Sequence, residues 1–483
     1  MTVLNAIKTK QKETYTENGA SAVNTTGSAV LDLFAVSGSL RYEQNRLEEL
    51  FLRAYAEDPL LAVKTMFYTR DAREGLGERT SGRQMMKLLA RMHPDTVRRN
   101  LDLVPEYGRW DDLLCLEDTE VFDDAVEMIK EQLGKDMESM KEGRPDSLLA
   151  KWMPSINASS FITVTAGRRL AEKLGMSEKT YRKTFSSLRA YLNITETRMS
   201  EKDYESIRYA EVPSVSMNRH FKAFERNDRE RFEKYKEDLK EGKQKINASV
   251  LYPYEIVEKY MYTNMAQSEI LEQQWKALPN YVEGENSFLV IADVSGSMYG
   301  RPLATSVGLA MYFAQRNKGP FHNHFMTFSE HPELLEIKGD SLLDRINGIM
   351  DCDWDMNTDL EAAFQLVLDS AVQAQLKPEE LPKSIVIISD MEFDACTKPL
   401  DALLYEDMKQ RFIQQGYQIP NLVFWNVSSR QNVFHAEKDS ANVQMASGSS
   451  PSVFKSLIAN TELTPYQFML SVLNAPRYMP ITV

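Results

Sequence analysis

The chain has 483 residues, 43% of them hydrophobic and 26% charged, and a formal net charge of -13. This is ordinary globular usage, enough for about two to four cores, and it excludes a disordered, collagenous or low-complexity protein. A wholly basic nucleic-acid binder is excluded as well, although a local basic face is not. The three cysteines, Cys115, Cys352 and Cys396, are far apart and in no CxxC pattern. That argues against a disulfide framework or zinc knuckle and points to a reducing compartment. The N-terminus has no apolar signal core, and no apolar run reaches the roughly 20 residues that span a bilayer. The expectation is a cytoplasmic protein with no membrane partner.

Residues 1–30 are small and polar and read as an arm or loop, with helix starts near Ser28 or Ser39. From about 42 to 280 the apolar residues recur at spacings of three and four: Leu47, Leu50, Phe51 and Ala54, then Met85, Leu88, Leu89 and Met92, then Val121, Ala125, Met128 and Ile129. With short polar turns and no strict period, 1–280 is expected to be an α-helical, repeat-like array. Within it, residues 168–247 hold 20 Lys and Arg against 14 Asp and Glu, whereas 281–483 hold 14 against 25. The middle of the helical half is a basic island in an acidic protein. Residues 225–245 alternate in charge sign and read as an exposed, ion-paired helix.

The texture changes near 280. FLVIAD at 288–293, SIVIISD at 384–390 and NLVFWNV at 421–427 are apolar runs of strand length, separated by helical stretches, one carried by Ala304, Val307, Gly308, Met311 and Ala314 and one from Asp359 to Leu376. NHFMTFSE at 323–330 and ELLEIKG at 333–339 read as a strand pair. The expected fold is therefore α + α/β, with a doubly wound, mainly parallel-sheet domain over 281–483.

Functional loops leave the carboxyl ends of such strands. Three of them carry oxygen donors: Asp293-Val294-Ser295-Gly296-Ser297, Asn357-Thr358-Asp359, and Asp390. Two carboxylates with three hydroxyls suit a hard cation. Mg²⁺, with six oxygens near 2.1 Å and several retained waters, would keep a position for an outside ligand. DVSGS, a Thr before a helix and an Asp after a buried strand resemble the metal-ion-dependent adhesion site of von Willebrand factor A domains. The resemblance implies hydroxyl ligands from Ser295, Ser297 and Thr358, and binding by Asp293 and Asp390 directly or through water. It implies Mg²⁺ as the ion, with Mn²⁺ or Ca²⁺ as substitutes. The sequence departs from the family at Asp390-Met391-Glu392, where Asp-Gly-Glu is common, which puts the local turn in question. Residues 443–458 resemble the closing strand and helix of these domains.

The whole chain, a helical array before such a domain, resembles Ro ribonucleoproteins and their TROVE-module relatives, and more closely the uncharacterised bacterial and phage proteins related to them. The residues that carry the resemblance are Asn18-Gly19-Ala20 with Leu31-Asp32-Leu33-Phe34, Arg73-Glu74-Gly75-Leu76-Gly77-Glu78-Arg79, Tyr107-Gly108-Arg109-Trp110-Asp111-Asp112-Leu113-Leu114, Lys151-Trp152-Met153-Pro154-Ser155 and Tyr181-Arg182-Lys183. It implies RNA as partner, single-stranded or a structured small RNA. Candidate contacts are Arg168, Arg169, Lys179, Arg182, Lys183 and Arg189, interleaved with Tyr181, Phe185 and Tyr191 for stacking. Arg73, Arg79 and Arg83 bracket a Gly-rich turn whose amides are candidates for phosphate. No catalytic triad, Walker loop or dinucleotide fingerprint is present, so no enzyme is expected. The leading expectation is a non-catalytic RNA-binding protein with Mg²⁺ in its second domain. The competing one is a protein–protein scaffold whose metal takes an acidic side chain from a partner.

Overall fold

The computed structural model describes residues 11–143, 146–192, 194–262, 268–282, 287–328, 331–352, 358–395, 404–460 and 462–483. The chain is helix-rich up to about residue 276 and then builds a six-stranded sheet with flanking helices, as the sequence implies.

The segment expected to be a polar arm starts with an antiparallel hairpin, β1 (Glu13–Tyr15) and β2 (Ser21–Val23), reversing at Glu17-Asn18-Gly19. Val23 then exchanges backbone hydrogen bonds of 2.9 Å with Phe434, which fastens the hairpin to the C-terminal half. Helix α1 (Ala29–Val36) starts where Ser28 Oγ accepts from Leu31 N. Helix α2 (Gln44–Glu57) precedes α3 (Pro59–Arg70), which has Asp58 as N-cap and Pro59 in its first turn. The chain continues through α4 (Arg79–Met92), α5 (Pro94–Arg99), α6 (Leu103–Tyr107), α7 (Phe122–Lys141), α8 (Leu149–Trp152), α9 (Phe161–Lys173), α10 (Glu178–Tyr191) and α11 (Thr195–Ser200). Helices α12 (Ser214–Asn227) and α13 (Arg229–Lys240) close a separate small core of Met217, Phe224, Phe232, Tyr235 and Leu239. Their alternating charges lie outside it, with Lys236 paired to Glu225 and Glu233. Helices α14 (Pro253–Tyr262) and α15 (Glu269–Lys276) lead into the sheet.

The second half runs β3 (Phe288–Ala292), α16 (Arg301–Arg316), β4 (His324–Thr327), β5 (Leu334–Glu336), α17 (Leu342–Met350), α18 (Leu360–Ala374), β6 (Ser384–Ser389), α19 (Leu404–Gln414), β7 (Asn421–Asn426), β8 (Val443–Ser447), α20 (Phe454–Ala459) and α21 (Pro465–Leu473). The strand order is β5-β4-β3-β6-β7-β8, with β5 antiparallel and the remaining pairs parallel. Strands β3, β6 and β8 are buried throughout, because helices cover both faces of a parallel sheet; this explains the continuous apolar runs of β3 and β6. From β3 the chain moves to one side through β4 and β5, then returns to the other side as β6. The topological switch point therefore lies between β3 and β6, where such sheets open a crevice at the strands' carboxyl ends.

The two halves share one hydrophobic core, running from Ala20 to Ile481. Helix α1 leads directly onto β8, and Gly38 N donates to Ser447 Oγ at 3.0 Å. A Cβ at Gly38 would sit 2.8 Å from the Ser447 backbone, so only glycine allows this approach. Buried ions reinforce the joint. Glu78 pairs with Arg41 at 2.7 Å and with Arg301 of α16 at 3.1 Å, and Asp71 accepts from Arg477 and from Tyr478 Oη. Among the described residues no helix is long and apolar enough to cross a membrane.

Candidate metal centre and cationic surface

Asp293 and Asp390 stand one residue beyond β3 and β6, the strands that flank the switch point. The Asp293 amide extends the ladder by donating to Ile388 O at 2.9 Å. Its carboxylate is buried: Oδ2 accepts from Ser389 Oγ at 2.6 Å and Oδ1 from Ser295 N at 2.9 Å. That second bond turns the loop so that Ser295 Oγ and Ser297 Oγ lie 3.1 Å apart, with Ser297 exposed to solvent. Thr358 is buried ahead of α18, and its hydroxyl donates to Glu392 O at 3.2 Å, which ties the second loop to the third. Asp359 beside it caps α18 by accepting from Ala362 N at 2.9 Å. Asn357 lies outside the described residues. The structure thus joins Asp293, Ser295 and Ser297 on one loop, joins Thr358 to the loop of Asp390, and sets the two carboxylates at adjacent strand ends.

The departure at Met391 is accommodated. Met391 adopts a left-handed φ of 70° and is buried, so it takes the conformation that glycine takes more easily. Its amide donates to Ser389 Oγ at 3.0 Å, and its carbonyl lies 2.9 Å from His435 Nε2, which therefore carries the ring proton. Burial pushes His435 down to about 4, so it is neutral at pH 7.

The donor set is all oxygen, which fits a hard cation and not a soft one. Its electrostatics fit too. Burial first, and the charge of Asp390 second, push Asp293 up to about 6. A divalent cation between the two carboxylates would offset both causes. Glu392, also raised by burial, has a buried Oε1 with no hydrogen-bond partner among the described residues at the same rim. Among the described residues no group of three or more His, Cys, Asp and Glu converges, so an ion here draws on the hydroxyls and water for its remaining bonds.

The cationic candidates divide. Arg168, Arg169, Lys179, Arg182 and Lys183 are exposed on α9 and α10, with Arg168 paired to Glu178 and Arg169 to Glu117. Arg189 is committed elsewhere: Nε donates to Ala150 O and Nη2 to Met153 O, both at 2.8 Å, fastening α10 to α8. Tyr181 and Phe185 were expected to stack on bases, but both are buried, and Tyr181 Oη donates to Pro154 O. Tyr191 keeps an exposed ring.

The Gly-rich turn also differs from expectation. The amides of Leu76, Gly77 and Glu78 donate to Tyr68 O, Asp71 O and Thr69 O, so they do not point at a phosphate. Gly77 sits at φ 67°, and a Cβ there would lie 2.1 Å from Tyr252 Oη. Arg73 donates to Glu106 O, Arg79 pairs with Asp111 at 3.2 Å, and Arg83 pairs with Asp111 and Asp112 at 2.8 and 2.6 Å. These residues and the YGRWDD motif brace each other; Arg109 lies 4.1 Å over the Trp152 ring of the KWMPS motif.

Residues 16–116 and 117–287, more than half of the chain, match the family described as "Domain of unknown function (DUF2828)". The chain belongs to the DUF2828 family. Residues 287–469 of this DUF2828 protein match a second family, described as "Domain of unknown function (DUF7788)", and span the whole sheet. A curated relative, "Uncharacterized protein L728" of Acanthamoeba polyphaga mimivirus, is 28% identical over 97% of this chain and 88% of its own length. Among solved structures, that of the Deinococcus radiodurans RO (RSR) protein is similar over 85% of this chain and 92% of its own, with 14% identity and a TM-score of 0.47.

In this DUF2828 chain, reading the sequence missed Arg430, whose Nη2 donates to Asp390 Oδ2 at 2.8 Å. Arg430 follows β7, so the rule that functional loops leave strand carboxyl ends was the signal that points to it. The resemblance singled out Asn18-Gly19-Ala20 at the hairpin tip but not its partners Glu392 and Ala395, which lie more than 370 residues away in sequence.

Proposed function

We propose that this chain is a non-catalytic binding protein with two ligands on two surfaces. A von Willebrand factor A-like domain holds Mg²⁺, or Mn²⁺ or Ca²⁺ in its place, through Asp293, Ser295, Ser297, Thr358 and Asp390. A TROVE-like helical part holds RNA on the exposed cations of α9 and α10. The observation that supports the metal reading is the meeting of two buried carboxylates and a hydroxyl loop at the switch point between β3 and β6. The non-catalytic reading rests on the sequence, which carries no catalytic triad, Walker loop or dinucleotide fingerprint.

The RNA reading is electrostatic. With Tyr181 and Phe185 buried, affinity comes from phosphate contacts and falls steeply with salt, as counterion release requires. Changing Arg168, Arg169, Arg182 and Lys183 together to Ala is expected to weaken RNA binding tenfold or more, on the order of four lost phosphate contacts. Asp293→Ala should leave it nearly unchanged. Filter binding with single-stranded, duplex and hairpin RNAs at low and near-physiological salt checks this. Absence of binding to all three at low salt rejects RNA.

The second reading, an acidic side chain of a protein partner at the metal, is favoured by one observation. Ser297 and Tyr299 at the mouth of the site are exposed, whereas Tyr181 and Phe185, two of the three rings meant for bases, are buried.

A further inference from the structure

We propose that Arg430 is an internal counter-cation of the metal centre: a divalent ion displaces its guanidinium from Asp390, and Glu17 on the N-terminal hairpin, already paired with it, retains it. The proposal rests on the metal reading above.

Arg430 sits between two carboxylates that come from opposite ends of the chain. Nη2 is 2.8 Å from Asp390 Oδ2 and Nη1 is 3.2 Å from Glu17 Oε2. Its loop is held from both halves. Val427 N donates to Ser389 O at 3.0 Å, beside the ligand loop. Arg46 of α2 donates to Ser429 Oγ and to Asn432 Oδ1, each at 2.6 Å. The guanidinium is therefore aimed at Asp390 by structure and does not drift there as a solvated side chain.

Asp293, Asp390, Glu392 and Glu17 stand against Arg430 and Arg46, so the rim has more negative than positive charge. A divalent ion at the buried Asp390 carboxylate repels the neighbouring guanidinium at close range. Glu17, already 3.2 Å from Nη1, holds that guanidinium when Asp390 turns to the ion.

The hairpin is built to feel the exchange. Glu17 N donates to Glu392 Oε2 and Asn18 Nδ2 to Glu392 O, both at 2.7 Å, while Ala395 N donates to Asn18 O at 2.9 Å. Asn18 Nδ2 also lies 3.5 Å from the Thr358 hydroxyl. The tip thus touches two of the three candidate ligand loops.

The test is Mn²⁺ binding to the full chain, followed by calorimetry and by the electron-spin signal of free Mn²⁺, in four proteins: unaltered, Arg430→Gln, Glu17→Gln and the double variant. Arg430→Gln should bind Mn²⁺ about tenfold tighter or more, because the ion no longer has a competitor. Glu17→Gln should bind severalfold weaker, because Arg430 is left with Asp390 alone. That loss should vanish in the double variant, which separates an effect routed through Arg430 from a simple change of charge. Equal or weaker binding by Arg430→Gln, with the unaltered chain binding normally, overturns the proposal and leaves the metal reading standing. Persistence of the Glu17→Gln loss in the double variant also overturns it. Binding by neither the unaltered chain nor Arg430→Gln overturns the metal reading, and the proposal with it.

Discussion

Asp293→Ala should abolish the rise in melting temperature that Mg²⁺ or Mn²⁺ gives to the unaltered chain. A ligand that binds only the folded state stabilises it by RT ln(1 + [L]/Kd), about 2.7 kcal/mol at a hundredfold excess over Kd. Removing the buried carboxylate should remove that gain. The same residue sets the pH dependence. Burial, then Asp390, raises its folded pKa from 3.8 to about 6. The folded state therefore holds this proton more tightly than the unfolded one. Without metal, the group therefore costs stability as pH rises from about 4 to about 6. With metal the dependence reverses, because the ion competes with the proton, so Mg²⁺ affinity should climb up to about pH 6 and level off above it. Asp293→Asn without metal should then melt higher than the unaltered chain at pH 7, and the two should converge near pH 4. Thermal melts across this range check both halves. An undiminished Mg²⁺ response in Asp293→Ala would sink the assignment.

Asp112→Ala should be among the most destabilising single changes in the helical half. The carboxylate is fully buried. Oδ2 accepts from Arg70 Nε and the Arg109 amide, each at 2.8 Å, and Oδ1 from Arg83 Nε at 2.6 Å. Burial alone pushes its pKa up, but Arg70 and Arg83 outweigh that and hold it below the ordinary range. Deleting it leaves the buried Arg70 guanidinium without a counter-charge, which costs about 3–5 kcal/mol. Arg168→Ala, which removes an exposed pair with Glu178, is the control and should change stability by about 0.5 kcal/mol or less. Thermal or urea unfolding of both variants checks the contrast. Equal midpoints for the two would show that the network does not brace the fold.

What was legible in the sequence follows from the range of the forces involved. Strands β3, β6 and β7 were legible because a sheet covered on both faces writes continuous apolar runs, and Asp293-Val294-Ser295-Gly296-Ser297 lies directly after one of them. The basic surface of α9 and α10 was legible as charge. The aromatics there were misread: Tyr181, Phe185 and Leu188 fall at helical spacing, and that stripe is a core face. The ion pairs were not legible. Arg83 looks free in its own segment, and its partners Asp111 and Asp112 arrive only when the chain folds back about 30 residues later. Arg430 is the same case over a longer range, since it bridges Asp390 and Glu17. The hairpin was read as a loop because three-residue strands carry little periodic signal, and the edge that orders it is supplied by Phe434.

The most direct test of the central claim is an anomalous-difference map from crystals of the full chain soaked in Mn²⁺. The account predicts one strong peak outside the carboxyl ends of β3 and β6, at metal–oxygen bonding distance (about 2.1 Å for a Mg²⁺-sized ion) from the Ser295 and Ser297 hydroxyls. Absence of a peak there at saturating Mn²⁺, or a peak bound only at another place on the molecule, would contradict it.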